Sequence, residues 1–595
     1  MANAELEASL DGIQLTLVES LDELDSFRRW LGERRPILGC DTETTGLSLV
    51  RDKIRTVQFG DARQGWALAW DDWRGAAREV MEKYREPMVF HHAKYDAGMM
   101  IKDGIKFPWE RVHDTMPMLH LIDSLGPKAL KPAAGLHIGP KARAGQKSLS
   151  RAMMRYGWTW ATVPVDFPLY WAYGAMDTCI TAILAEEIWP KIQPYRDAYD
   201  LEIACSRVLC DMEARGVRID AEYVKTTSAM LSDELEPLLA MLDGVNPNAA
   251  GQVIGALVRA GAVLAKRTDK GQLSTDDEVL TELAEQGFEI AGLVLEARSI
   301  TKIVGTWFRS FLAKRDSDDL IHASINQFAG GERGGAGKTG RMSVSGDSAL
   351  QTLPRKALVR NAIIPREGNS LVPIDYDNQE MRVAAHFSGD ERMLRAFAEG
   401  RDMHTETAQR IYGTEPCNHD AKLKCEHRQV GKTGIFSKTY GAGIPTFAGT
   451  VGLPVADAAN IYHALDEVYP GLSKTMAQVT RAVQQRARES GGSGYVTLID
   501  GRRLRVPADK SYTGLNYLIQ GSCATVLKRA LVDLDLAGFG GFMILPIHDE
   551  IIFDIPTELV KDIIPQLTQI MTRNDFRAPL TVSASVVQRW GDAYA

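Results

Sequence analysis

The chain has 595 residues, 45% of them hydrophobic and 25% charged, which is the balance of an ordinary globular protein with room for about four compact units. A formal net charge of −8 gives no overall basic surface, so any contact with phosphate must come from local clusters of cations. The acidic start at residues 1–10, the absence of an apolar run near the roughly 20 residues that span a bilayer, and seven scattered cysteines argue against a secretory leader, a membrane helix and a disulfide scaffold. A cytoplasmic protein with no membrane partner is expected.

From residue 36 to about 189, short β-rich runs at 37–40, 54–59 and 88–91 alternate with helical patterns, which reads as an α/β unit. An amphipathic helix at 201–215 stops at Gly216, and residues 217–220 are extended after it. The pattern is then largely helical to about residue 312, and the Gly-rich stretch 330–340 is loop. Residues 371–375 form a short apolar strand ending in acid. Helices dominate 378–489, a hairpin with an Asp500-Gly501 turn occupies 495–506, and a helix follows at about 517–536. Two strands, 542–547 and 551–555, flank His548-Asp549-Glu550. Cations cluster twice. Residues 326–360 hold Arg333, Lys338, Arg341, Arg355, Lys356 and Arg360 against Glu332 and Asp347, and a second island holds Arg502, Arg503, Arg505 and Lys510.

Asp41 and Glu43 follow the strand at 37–40 and point to one side, because side chains two apart in an extended chain share a face. Asp96 comes after the strand at 88–91. Asp177 lies four residues after Tyr173 on a helix, so both occupy one face. Four carboxylates brought to one point repel unless divalent cations sit between them, and two such ions can clamp the attacking water and the leaving oxygen of a phosphodiester. The phenol of Tyr173 can orient that water. In the C-terminal half, Asp375 and Asp549 stand at strand ends, the arrangement that two-metal nucleotidyl transfer requires. Arg428, Lys432, Phe436 and Tyr440 recur every fourth residue along one helix. Two cations followed by two aromatics suit a triphosphate at one end and a base and sugar at the other. Gly431 and Gly434 weaken that helix by about 1 kcal/mol each, as expected of an element that swings.

These residues resemble family A DNA polymerases of the DNA polymerase I type. Asp41-Thr42-Glu43-Thr44-Thr45-Gly46-Leu47, Lys94-Tyr95-Asp96 and Tyr173-x-x-x-Asp177 match, in order, the motifs of a 3′→5′ exonuclease, and Asp114-Thr115 fits between them. His92 stands where that family usually has Asn. Asp375-Tyr376-x-x-x-Glu380-x-Arg382, the Arg428-to-Tyr440 helix and His548-Asp549-Glu550 match the polymerase motifs. Arg341, Gln351, Asp402-x-His404, Tyr469-Pro470-Gly471, Asp500-Gly501-Arg502-Arg503-Leu504, Asn516-x-x-x-Gln520 and Trp590 with Asp592 match as well. Asp377, Asn378 and Gln379 are more polar than the usual pattern, and Ala349 replaces a usual Asn.

The resemblance implies an N-terminal ribonuclease H-like α/β exonuclease domain (1–198). It implies an α+β right-hand polymerase (199–595) with thumb at about 205–315, palm at about 316–385 and 495–595, and fingers at about 386–494. It implies two Mg²⁺ per site, with Mn²⁺ able to substitute: on Asp375 and Asp549, supported by Glu550, and on Asp41, Glu43, Asp96 and Asp177. Arg428 and Lys432 would hold the triphosphate, with Lys432 protonating pyrophosphate. Glu380 would exclude a ribose 2′-hydroxyl, Phe436 would disfavour dideoxynucleotides, and Tyr440 would stack at the templating position. Arg341 and Gln520 would read minor-groove acceptors that correct pairs share. Tyr376, His404, Asn516 and His548 would complete the substrate site. The expected partners are primer-template DNA, deoxynucleotides and a replisome helicase or primase, around a monomer of phage type. No 5′-nuclease domain is expected, since Asp41 lies so near residue 1.

Two lysine motifs fail as phosphate loops, because Glu332 and Glu426 stand where Gly is needed ahead of Gly337-Lys338-Thr339 and Gly431-Lys432-Thr433. Cys417-x-His419 with Cys425-x-His427 has poor spacing for one tetrahedral zinc. A pure exonuclease with a DNA-binding C-terminal platform would lack Asp375 or Asp549, and a non-catalytic clamp would lack acids at both places. Both sets are present.

Overall fold

The computed structural model describes residues 12–143, 146–268, 271–328, 336–346, 350–354, 357–413 and 425–594. Arg333, Glu332, Asp347, Ala349, Arg355, Lys356, Cys417 and His419 lie outside the described residues, as does most of the loop expected at 330–340.

The N-terminal part is a six-stranded sheet. Its strands are β1 (Gln14–Val18), β2 (Leu38–Thr44), β3 (Ile54–Gly60), β4 (Gln64–Ala69), β5 (Met88–Phe90) and β6 (Val112–Asp114), in the order β1-β4-β3-β2-β5-β6. β2, β3 and β4 are antiparallel neighbours, whereas β5 and β6 join in parallel through helical crossovers. Strands β1, β4 and β6 add to those expected, and β2 runs on through Asp41 and Glu43 rather than ending before them.

The helix Pro168–Ile192 lies across this sheet and is buried on nearly every side. Glycines make the close approach possible. A Cβ on Gly39 of β2 would stand 2.1 Å from the Thr178 carbonyl oxygen, one on Gly60 of β3 2.4 Å from the Thr178 hydroxyl, and one on Gly65 of β4 2.6 Å from the Ala175 carbonyl.

The next helix, Arg196–Arg215, ends at Gly216 (φ 69°), followed by the strand Val217–Arg218, as the sequence implies. Its Cys210 packs into the N-terminal core, while Leu201, Cys205, Val208, Leu209 and Met212 pack into a much larger C-terminal core. A separate cluster (Leu242, Val253, Leu257, Leu280, Leu283, Val294) holds helices between Ala221 and Lys302 together.

The C-terminal sheet is antiparallel: β7 (Asn369–Tyr376), β8 (Met543–Ile547), β9 (Glu550–Pro556) and β10 (Val582–Ala584), in the order β8-β9-β7-β10. Strand β10, three residues long, was not expected. Between β7 and β8 the chain is largely helical, with the hairpin Ser493–Thr497/Arg503–Pro507 turning at Gly501 (φ 81°). The helix Gly514–Leu536 is apolar almost all round and packs against Arg196–Arg215.

Two cations of the expected basic clusters are buried instead. Arg502, 2% exposed, pairs with Glu202 at 2.5 Å and Asp500 at 2.7 Å. Arg360, 5% exposed, lies over the rings of Trp590 and Tyr594 at 4.3 and 4.4 Å. Neither faces solvent, because a guanidinium enclosed by carboxylates or ring faces is satisfied inside the protein.

Candidate active sites

Two sets of carboxylates emerge, one on each sheet. In the C-terminal sheet, Asp375 near the end of β7 stands in register with Glu550, the first residue of β9. Asp549 occupies the turn between β8 and β9, whose first residue, His548, has φ 56°. The main chain fixes this corner, since Tyr376 N donates to Asp549 O at 3.3 Å. Asp375 is exposed and lines a cleft. Partial burial, then Asp549 and Glu550 beside it, push its carboxyl up to about 8. Burial raises Glu550 as well, against a 2.5 Å hydrogen bond donated by the Tyr594 phenol and the nearby Arg360.

Asp375 and Asp549 open onto this cleft of about 460 Å³, whose other walls carry Glu380, His404, Lys432 and Phe436, while Glu550 is buried behind them. The helix Glu426–Thr439 supplies Arg428, Lys432 and Phe436 on one face, with Tyr440 just beyond its end as the cap. Arg428 is held by Asp402 at 2.6 Å. Asp402 also caps the neighbouring helix Met403–Tyr412 through the His404 and Thr405 amides. Burial brings His404 down to about 4, so it is neutral at pH 7, and its ring centroid lies 6.0 Å from that of Phe436. Glu380 pairs with Arg341 and accepts from the Tyr440 hydroxyl at 2.7 Å. Gln520 touches the same phenol, one helical turn beyond Asn516, whose buried Oδ1 has no hydrogen-bond partner among the described residues.

The Tyr376 side chain is 2% exposed and its phenol donates to the Met571 carbonyl at 2.8 Å, so it anchors the core while Tyr376 also lines the cleft. Gly431 and Gly434 serve close packing: a Cβ on Gly434 would lie 2.9 Å from Leu465 Cδ1, and one on Gly431 3.4 Å from the Ala408 amide.

In the N-terminal sheet, Asp41 and Glu43 share a face of β2. Asp96, on the helix Ala93–Lys102, accepts from the Thr42 hydroxyl at 2.6 Å. Tyr173 and Asp177 share a face of Pro168–Ile192, as expected, and engage each other. Burial, then Asp177 and Asp96, push Glu43 up to about 8. Burial pushes Asp96 to about 7, and burial followed by Asp96, Glu43 and Asp177 raises Asp41 strongly. Among the described residues no three His, Cys, Asp or Glu side chains already enclose one ion at either place. Asp41 and Glu43 each feel the charge of Asp96 and Asp177, so the four acids are neighbours. Asp177 also pairs with Lys131, a buried lysine from the helix Leu130–His137. Sequence reasoning missed Lys131, whose only signal is a single cation in a short apolar segment.

His92 starts the helix that carries Asp96 with φ 76°, a left-handed conformation in which Asn and His are both favoured among non-glycine residues. Asp114 closes that turn by accepting from the His92 and Ala93 amides at 3.0 and 2.8 Å. Asn378 (φ 51°) occupies the same conformation ahead of Gln379–Ser388, and Asp377 accepts from Thr581 and Ser583, tying β10 to β7. Asn378 thus has a backbone cause and Asp377 a cross-strand side-chain one.

Comparison with known proteins completes this picture. The family model for DNA polymerase family A matches residues 218–592. The chain is 30% identical to the DNA polymerase of Mycobacterium phage L5, over 99% of this chain and 98% of that protein. It is 26% identical to DNA polymerase I of Pseudomonas aeruginosa, over 96% of this chain and 65% of that protein. A solved structure, the POL domain of Pol1 from M. smegmatis in complex with DNA primer-template and dNTP, shares the fold with a TM-score of 0.79 at 20% identity. That likeness covers 98% of this chain and all of that one. The chain belongs to DNA polymerase family A, and its phage relatives agree with the phage-type expectation.

Proposed function

We propose that this protein is a template-directed DNA polymerase that adds deoxynucleotides to a primer 3′ end and releases pyrophosphate, and that its N-terminal acids form a 3′→5′ proofreading exonuclease. The observation that carries the first part is the corner where Asp375 and Asp549, backed by buried Glu550, face Lys432, His404 and Phe436 across one cleft. The second part is supported by Asp41, Glu43, Asp96, Tyr173 and Asp177, gathered from one strand and two helices. The assigned division is exonuclease at 1–198, with thumb, palm and fingers as expected from the sequence and the helix Arg196–Arg215 shared across the boundary.

The donors suit Mg²⁺ in kind, since a small hard cation takes oxygen ligands and binds through one or two carboxylates together with substrate phosphates. Asp375 and Asp549 would hold two such ions, as would Asp41, Glu43, Asp96 and Asp177. The bound ions supply a more acidic hydroxyl or water and neutralise charge on the leaving oxygen. The chain's own groups do the remainder. Lys432 and Arg428 face the triphosphate, Arg428 leaving Asp402 to do so, and Lys432 gives its proton to pyrophosphate. Glu380, fixed by Arg341 and Tyr440, closes the space that a 2′-hydroxyl needs. Phe436 and neutral His404 line the sugar and base side. In the second site the Tyr173 phenol orients the attacking water.

Single-turnover addition of one complementary deoxynucleotide to a primer-template tests the polymerase part. Asp375→Ala and Asp549→Ala should each lose about a thousandfold in rate, the equivalent of several kcal/mol of charge stabilisation. Variants that extend at the wild-type rate would remove this site from the reaction.

A further inference from the structure

The helix Leu130–His137 has the sequence LKPAAGLH, in which Lys131 is the only permanently charged residue. Its side chain is 8% exposed. Burying an ammonium is costly unless a partner compensates it, and Lys131 has found an unusual one. Its Nζ pairs with Asp177, and lies 5.1 Å from the centroid of the Tyr173 ring. Tyr173 itself engages Asp177. One cation thus sits against two of the five residues assigned to the exonuclease. A purely structural lysine would be expected to pair with a carboxylate that the reaction does not need.

We propose that Lys131 is a positioning residue of the 3′ shortening reaction. Its ammonium fixes the Asp177 carboxylate and the Tyr173 ring in the arrangement that addresses the terminal phosphodiester. The inference rests on the exonuclease reading above, and the two can fail separately.

The test is steady-state shortening of a 3′-labelled single strand by wild type, Asp41→Ala, Lys131→Met and Lys131→Arg, with primer extension run on each. If wild type shortens no faster than Asp41→Ala, the exonuclease reading itself falls. If wild type shortens, Lys131→Met should lose about 10- to 100-fold in kcat, the usual effect of removing a group that orients a metal-binding carboxylate. KM for DNA and the extension rate should stay near wild type. Lys131→Arg, which keeps the charge but moves it, should recover part of the lost kcat and remains informative if Lys131→Met folds poorly. Shortening by Lys131→Met at the wild-type kcat, or a loss confined to KM, overturns the proposal.

Discussion

Glu43 and Asp375 hold their protons up to about 8 and Asp96 to about 7, foremost because protein displaces the water that would solvate their charge. An unfolded chain releases those protons near pH 4. Between about 4 and 8 the folded chain binds more protons than the unfolded one, so this contribution to stability is intact below about 4 and is lost as pH rises through about 7 to 8. Buried His404 and His91, both lowered to about 4, act in the opposite sense and cost stability as pH falls below about 6.5. The clean readout is therefore the increment in Tm on adding Mg²⁺ to chelator-treated protein. Protons compete with the ion at pH 5.5 and have largely left at pH 8.5, so the increment should be larger at the higher pH. Equal increments would show that these acids do not take up the cation.

At the scale of elements, the exonuclease reading depends on how closely the helix Pro168–Ile192 lies on the sheet, and Gly39, Gly60 and Gly65 set that distance. Gly39→Ala would drive a methyl group into the Thr178 carbonyl, beside Asp177 and two residues before Asp41. The strand and helix must part, at about 1–3 kcal/mol or more. A displacement of about 1 Å costs about a hundredfold in rate. Shortening should fall by about that factor while primer extension persists, and Gly39→Ala with wild-type shortening would contradict this packing account. The acids on β2, β7 and β9 were legible in the sequence because apolar runs ending in Asp or Glu mark strand edges. The hairpin at Gly501 and the helix stop at Gly216 were legible because glycine adopts a backbone few residues can. Strands β4 and β10 were not: QGWALA carries glycine and glutamine, and VSA is too short to show a period. Lys131 and the burial of Arg502 escaped as well, since pairing with a distant carboxylate leaves no local pattern.

Across the whole molecule, the helix Arg196–Arg215 joins the two halves through buried charge. Glu202, fully buried, accepts from Arg502 at 2.5 Å and from Lys528 at 2.8 Å, while Gln327 donates to it at 2.9 Å. The two cations hold Glu202 below the usual carboxylate range despite its burial. One turn from the end of the same helix, Glu213 pairs with Lys94, two residues from Asp96, and accepts the Ile325 amide. Glu202→Gln leaves Lys528 buried without its counter-charge and Arg502 with Asp500 alone, and should lower stability by about 3–5 kcal/mol. Urea unfolding checks this, and a loss under about 1 kcal/mol would contradict a stabilising role for the charge of Glu202.

The central claim is that one chain carries two separate active sites, one on each sheet. It is tested most directly with an end-labelled primer on a longer template in Mg²⁺, with and without the four deoxynucleotides, comparing wild type with Asp549→Ala and Asp41→Ala. The account predicts extension when nucleotides are present and 3′ shortening when they are absent, with Asp549→Ala losing only the first and Asp41→Ala only the second. Loss of both activities in either variant, or shortening by wild type without any extension, would contradict it.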